Sequence, residues 1–167
     1  FAGVNEPALL PNLSQVQIDK TLRTKVDGLQ NLLSALDADE LGAVVTFGSI
    51  ISRIGLAGEA HYALSNEWQA AVLADWSKAH ASSRCLNLDW SLWTGTGMGQ
   101  RVAHIDTLMR TGISPISIEE GVCAFMAALR YAPVESRSLV MTGRFGEPAT
   151  VQMDVPELPL LRFIDRV

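Results

Sequence analysis

Apolar positions along the chain keep switching between two spacings. From Ser14 to Ala35, Val16, Ile18, Leu22, Val26, Leu29, Leu32 and Leu33 recur mostly at three- and four-residue steps behind an Asn12/Ser14 capping signal. That pattern predicts an amphipathic helix. The run Ala43-Val44-Val45-Thr46-Phe47 is instead dense in β-branched and aromatic residues and stops at Gly48-Ser49, as a strand buried on both faces would. Gly55 and Gly58 mark a loop, after which helical spacing returns from Glu59 to Ala79 with Tyr62, Trp68, Val72, Leu73 and Trp76. A second short strand is expected over Cys85 to Asp89, and a glycine-rich loop from Trp93 to Gly99. A short helix from Arg101 to Arg110 precedes a turn at Gly112 to Pro115. Ser117 with Glu120 forms a capping box that opens a helix to Tyr131. Ser138 to Thr142 is the last predicted strand.

Helices alternating with strands in units of roughly 20 to 40 residues imply the α/β class, a parallel sheet joined by crossover helices. Ligands of such sheets bind beyond the carboxyl ends of the strands. Chemistry is therefore expected in the loops after Phe47, Asp89 and Thr142. The stretch from Glu147 to Val167 holds three of the seven prolines and shows no period before Leu160. This divides the chain into a folded unit, 1–146, and a linker toward a following domain, 147–167.

Composition narrows the function classes. With 48% apolar and 19% charged residues in 167, the chain can bury a core and is not expected to be disordered. Its 13 Lys and Arg against 18 Asp and Glu give a net charge of −5 without a basic block, so nucleic acid is not an expected partner. No apolar run reaches the roughly 18 to 20 residues of a membrane helix, and no signal peptide is evident. A soluble, cytoplasmic setting is the expectation. Cys85 and Cys123 lack a C-x-x-C spacing and are expected to be buried free thiols. His80 and His104 have no partners at ligand spacing, so no metal site is expected. The opening Phe1-Ala2-Gly3-Val4 resembles the exit from a strand, as in a piece of a longer chain.

One set of polar residues stands out. Ser49 follows the first predicted strand; Tyr62 comes thirteen residues later, Asn66 four beyond that, and Lys25 lies twenty-four before Ser49. Tyr62 and Asn66, at i and i+4, share a helix face. A phenol has a pKa of about 10, and a neighbouring ammonium lowers it by stabilising the phenolate, which suits general acid work. Tyr62 would give the proton, Ser49 would stabilise negative charge developing on a carbonyl oxygen, and Asn66 would hold the lysine or a relaying water. Singly, each has an ordinary role: a turn residue, a packed ring, a solvated cation. Their joint spacing is what points to chemistry. No G-x-S-x-G elbow surrounds Ser49, which disfavours a hydrolase.

These residues, with Phe1-Ala2-Gly3-Val4, Lys25-Val26-Asp27-Gly28, Phe47-Gly48-Ser49-Ile50, Tyr62-Ala63-Leu64-Ser65-Asn66, Trp90-Ser91-Leu92-Trp93 and Gly97-Met98, resemble the ketoreductase domains of type I polyketide synthases, members of the short-chain dehydrogenase/reductase superfamily. The likeness runs to Arg144. It implies a Rossmann-like sheet and NADPH-dependent reduction of a β-ketoacyl group tethered to an acyl carrier protein, with Lys25, Ser49, Tyr62 and Asn66 as the catalytic set. The wider superfamily usually places its lysine four residues after the tyrosine. Here Asn66 stands there and the lysine is upstream, the exchanged arrangement of polyketide ketoreductases. The resemblance further implies Gly3, Tyr62, Asp89 and Trp90 beside the cofactor, and Trp93, Gly97 and Met98 in a substrate loop or lid. Gly55 to Tyr62 and Leu158 to Phe163 look most like iterative synthases of the enediyne kind.

The departures are specific. The family's T-G-G-x-x-G-x-G turn, which seats a pyrophosphate at a helix N-terminus, does not occur. Gly95-Thr96-Gly97-Met98-Gly99-Gln100 has Gln in place of the last glycine and follows the wrong strand. The resemblance thus implies that the N-terminal cofactor-binding half lies outside this chain, so that half and neighbouring synthase domains are the expected partners. The Leu-Asp-Asp position reads Val4-Asn5-Glu6-Pro7, and Ile54 stands where a tryptophan eight before Tyr62 would, so product configuration is not assigned. His61 is expected to pack or meet solvent at the helix start. Arg101 and Arg110 could meet an acidic carrier protein. Two other readings stay open: a non-catalytic docking subdomain, and a dehydrogenase or epimerase of the same fold acting on a free small molecule.

Overall fold

The computed structural model describes residues 3–95, 113–133 and 138–141. Three parallel strands, β1 (Ala43–Ser49), β2 (Arg84–Trp90) and β3 (Ser138–Met141), form a sheet in the order β1-β2-β3. The register pairs Ala43 with Arg84 through Ser49 with Trp90, then Asn87 with Ser138 through Trp90 with Met141. The carboxyl ends of the three strands therefore lie side by side. This is the predicted α/β architecture.

Helix α1 (Gln15–Leu22) starts at Ser14, whose hydroxyl caps Gln17 N while the Gln17 side chain reaches back to the Ser14 N–H. The single helix expected over 14–35 is interrupted. A π turn, Arg23–Asp27, separates α1 from α2 (Gly28–Ala35). Such a turn adds a residue to the helical ring and rotates the helix beyond it; Lys25 and Val26, at its centre, are both buried. Short 3-10 turns at Leu10–Asn12 and Ala38–Glu40, and the one-turn helix α3 (Ile51–Ile54), are too short to carry a periodic signature in the sequence. The main crossover is α4 (Ala60–Ala79), and α5 (Ile118–Tyr131) begins at the expected Ser117/Glu120 capping box.

Strand alternation sends neighbouring side chains to opposite faces. Val44 and Cys85 pack with Leu29, Leu33, Leu73 and Trp76 from α2 and α4. Val45, Phe47, Leu86, Leu88, Trp90, Leu139 and Met141 meet Ala124, Phe125 and Ala128 of α5 on the other face. Helices thus cover both sides of the sheet. Strand β1 is less buried than its composition predicts, with Ala43 exposed and Val44, Val45 and Phe47 half-buried, because it is an edge strand among the described residues. Ser49 is its last residue, not the first beyond it. Cys85 is buried as expected, whereas Cys123 is exposed, because α5 turns Gly121, Ala124 and Ala128 inward instead. The helix expected over 101–110, Gly97 and Met98, and the linker 147–167 lie outside the described residues. Among the described residues no helix is long and apolar enough to cross a membrane.

Candidate active site

The π turn and α4 bring Lys25 to the Tyr62-Asn66 face. Lys25 Nζ donates to Asn66 Oδ1 at 2.7 Å and to the Phe47 carbonyl at 2.7 Å. Asn66, with no exposed surface, donates in turn from Nδ2 to the Tyr62 carbonyl, one helical turn back, at 2.7 Å. The ammonium lies 5.7 Å from the centroid of the Tyr62 ring. Gln69, one turn past Asn66, also donates to the Phe47 carbonyl at 3.3 Å. Ser49, two residues beyond Phe47, is buried; its Oγ accepts from Ile51 N at 3.3 Å. Lys25, Ser49, Tyr62 and Asn66, scattered in the sequence, therefore gather at the carboxyl end of β1.

The electrostatics of the centre differ from the sequence expectation at one point. Burial pushes the Tyr62 phenol above its ordinary value; hydrogen bonding to Asn66 and Ser49 opposes that, and the nearby Glu59 carboxylate adds to it. Desolvation, and not a neighbouring ammonium, thus sets the direction in which the phenol shifts. Lys25 is itself lowered from 10.5 to about 8 by burial, with Asp89 acting in the opposite sense. The centre consequently holds its lysine near the neutral-to-alkaline boundary.

Glu59, the residue before α4, is buried and its carboxyl is raised, chiefly by desolvation, with the Asn5 hydrogen bond and His61 opposing. Asn5 Nδ2 donates to Glu59 Oε2 at 2.7 Å, and Ala8 N to the Gly58 carbonyl at 2.9 Å. The N-terminal segment is thereby fastened to the start of α4. His61 is buried, with neither ring nitrogen hydrogen-bonded among the described residues, so packing and not solvent is its role. Nothing in the sequence pattern singles out the Asn5–Glu59 contact.

The residues expected at the cofactor divide. Gly3 is half-buried in the irregular segment before the first 3-10 turn, and the bonds that join Lys25 and Asn66 do not involve it. Asp89 departs from expectation. Fully buried, its carboxylate is occupied by Arg53, Asn87 and Ser138, so it braces the frame of the site instead of presenting free oxygens to a ligand. Trp90 belongs to the core under α5, with its ring 5.6 Å from Phe47 and 4.9 Å from Trp93. Trp93, expected at the substrate, lies over Gly121 of α5, where an added Cβ would fall 2.4 Å from the indole. Among the described residues no cluster of three metal-ligating side chains occurs.

Fold and site together define a Rossmann-like domain of the short-chain dehydrogenase/reductase kind. A family profile described as KR domain matches residues 1–95. The chain is 34% identical over 151 residues to the spectinabilin polyketide synthase system protein NorB of Streptomyces orinoci, covering 89% of this chain and 7% of that protein. It is 32% identical over 133 residues to a phenolphthiocerol synthesis polyketide synthase type I of Mycobacterium bovis, covering 77% of this chain and 6% of that one. Among solved structures, the first ketoreductase of the tylosin polyketide synthase superimposes with a TM-score of 0.70 at 26% identity, over 85% of this chain and 30% of that one. An A1-type ketoreductase at 23% identity, with a TM-score of 0.72 over 84% of this chain and 29% of that one, shares the fold. The chain belongs to the KR domain family, the ketoreductase domains of type I polyketide synthases. It spans less than a tenth of the length of these two curated relatives.

Proposed function

We propose that this chain carries the catalytic residues of a ketoreductase that reduces a β-ketoacyl thioester, tethered to an acyl carrier protein, to the β-hydroxyacyl form with NADPH. This reading is supported by the buried Lys25–Asn66 contact of 2.7 Å, together with the 5.7 Å between the Lys25 ammonium and the Tyr62 ring centroid. Lys25 has three N–H donors. Two go to Phe47 and Asn66, and the donor chemistry of the third suits a ribose hydroxyl. Lys25 and Tyr62 would hold the nicotinamide end of the cofactor. The pyrophosphate has no glycine-rich turn in this sequence, so its seat belongs to a complementary segment.

When bound, the reduced nicotinamide supplies hydride to the carbonyl carbon. The chain's own residues manage the oxygen. Tyr62 Oη passes its proton to the oxygen as negative charge develops there, and Ser49 donates a hydrogen bond to the same atom. The phenol raised by burial stays protonated until that charge appears. The Lys25 ammonium then stabilises the phenolate left behind, and Asn66 fixes the lysine in place. Carrier protein and neighbouring synthase domains are the partners of this reading.

The test uses the complete synthase polypeptide, following NADPH oxidation with a β-ketoacyl thioester. Replacing Tyr62 by Phe should abolish turnover while thioester binding persists. Turnover equal to that of the unmodified protein would remove Tyr62 from the reaction and overturn the proposal.

A further inference from the structure

Arg53 lies in α3, four residues after Ser49, and its guanidinium reaches three other elements. Nε donates to Asp89 Oδ2 at 2.9 Å, and Nη2 lies 2.8 Å from the same oxygen on β2. Nη2 also donates to Ser138 Oγ on β3 at 2.9 Å, while Nη1 pairs with Glu67 Oε2 on α4 at 3.1 Å. Ser138 Oγ and Asn87 Nδ2 complete the shell of Asp89 at 3.0 and 2.8 Å, and Thr46 Oγ1 donates to Asn87 Oδ1 at 2.9 Å. The network is connected from β1 to β3.

Its position relative to the candidate site is specific. Asp89 Oδ1 is pressed against Gly48, where a Cβ would fall 2.1 Å away, so the carboxylate touches the backbone one residue before Ser49. Arg53 grips the same carboxylate four residues after Ser49. The amide of Ile50 donates to the Trp90 carbonyl at 2.9 Å, closing the turn onto the end of β2. On α4, Glu67 directly follows Asn66 and lies five residues beyond Tyr62. The Glu67 carboxylate is half exposed, at 52%, against none for Asp89. The Asp89 contact therefore carries the energetic weight, because exposed pairs are screened while a buried carboxylate without its cation is costly.

We infer that Arg53 is a positioning residue, its guanidinium gripping Asp89 of β2 and Ser138 of β3 so that the turn bearing Ser49 stays fixed against the carboxyl ends of the strands. This rests on the ketoreductase reading proposed above. A misplacement of about 1 Å at a reacting group can cost on the order of 100-fold in rate, and the span from Ser49 to Tyr62 has no other charged anchor to the sheet among the described residues.

The experiment compares variants in the complete synthase, each at its own pH optimum. Exchanging both partners for apolar residues, Arg53→Met with Asp89→Leu, removes the buried charges together and should recover the thermal stability that Arg53→Met alone loses. Expected is a kcat at least about ten-fold below the parent with KM within about two-fold in the double variant. Recovery of both stability and kcat would overturn the inference, leaving Arg53 a purely structural residue. If the double variant folds poorly, Arg53→Lys decides. Lysine keeps the charge without the planar three-way reach, so kcat should fall, and an unchanged kcat overturns the inference. Tyr62→Phe in the same polypeptide separates the two claims: activity surviving there defeats the ketoreductase reading, not the role of Arg53 alone.

Discussion

Lys25 Nζ and Asn66 Oδ1, separated by 41 positions in the chain, meet at 2.7 Å in the interior. The contact depends on the π turn that buries Lys25 and on the helical step that joins Asn66 to the Tyr62 carbonyl. Asn66→Ala removes the acceptor and leaves a small void. A buried donor left unsatisfied costs about 1–3 kcal/mol, and urea unfolding should register a loss of that order. Reduction by the complete synthase should fall further than stability alone explains, since Lys25 is then free to leave the phenol. Stability unchanged within a few tenths of a kcal/mol would contradict the burial of this bond.

Lys25 contributes a pH dependence on the alkaline side. Its folded value of about 8 lies below the ordinary 10.5, so between those values the unfolded chain binds more protons than the folded one. Stability contributed through this group therefore rises as pH increases from about 8 to 10.5, and the cost of burying the charge is fully present below about 8. Activity runs the other way. The ammonium is lost as pH passes about 8, so kcat for reduction should decline on that alkaline limb. Asp89 raises Lys25, hence Asp89→Asn should move the limb to lower pH. A limb that stays in place or moves upward would show that Asp89 does not act on Lys25.

Two glycines are required by close approach. At Gly48 an added Cβ meets Asp89 Oδ1 at 2.1 Å, and at Gly121 it meets the Trp93 ring at 2.4 Å. Alanine at either position should destabilise by about 1–3 kcal/mol, the usual cost of overpacking. Trp93→Leu in the Gly121→Ala background should restore part of the loss, whereas the same change should not help Gly48→Ala. Thermal unfolding of the four variants checks the pairing. Equal effects of Trp93→Leu in both backgrounds would refute it.

The cysteines should react differently. Cys123 is exposed and Cys85 buried, so a thiol reagent added to the folded protein should label Cys123 at once. Cys85 should label only in denaturant, which peptide mapping by mass spectrometry resolves. Prompt labelling of Cys85 without denaturant would show that the core between α2, α4 and β2 is open.

Local patterns in the sequence determined the order of the strands and main helices, since the strands are contiguous apolar runs and the helices carry three- and four-residue spacing or the Ser117/Glu120 capping box, whereas the π turn that splits 14–35 left no such mark. The resemblance also singled out Lys25, Ser49, Tyr62 and Asn66, because the exchange of lysine and asparagine is visible as spacing. Tertiary structure alone decided the fate of Asp89. Its carboxylate is occupied by Arg53, Ser138 and Asn87, and two of those partners lie 36 and 49 positions away on elements that no periodicity relates. The direction in which Tyr62 titrates was equally hidden. It is set by how completely the folded chain withdraws the phenol from water, and that depends on neighbours packed from the whole domain instead of on residue types in order.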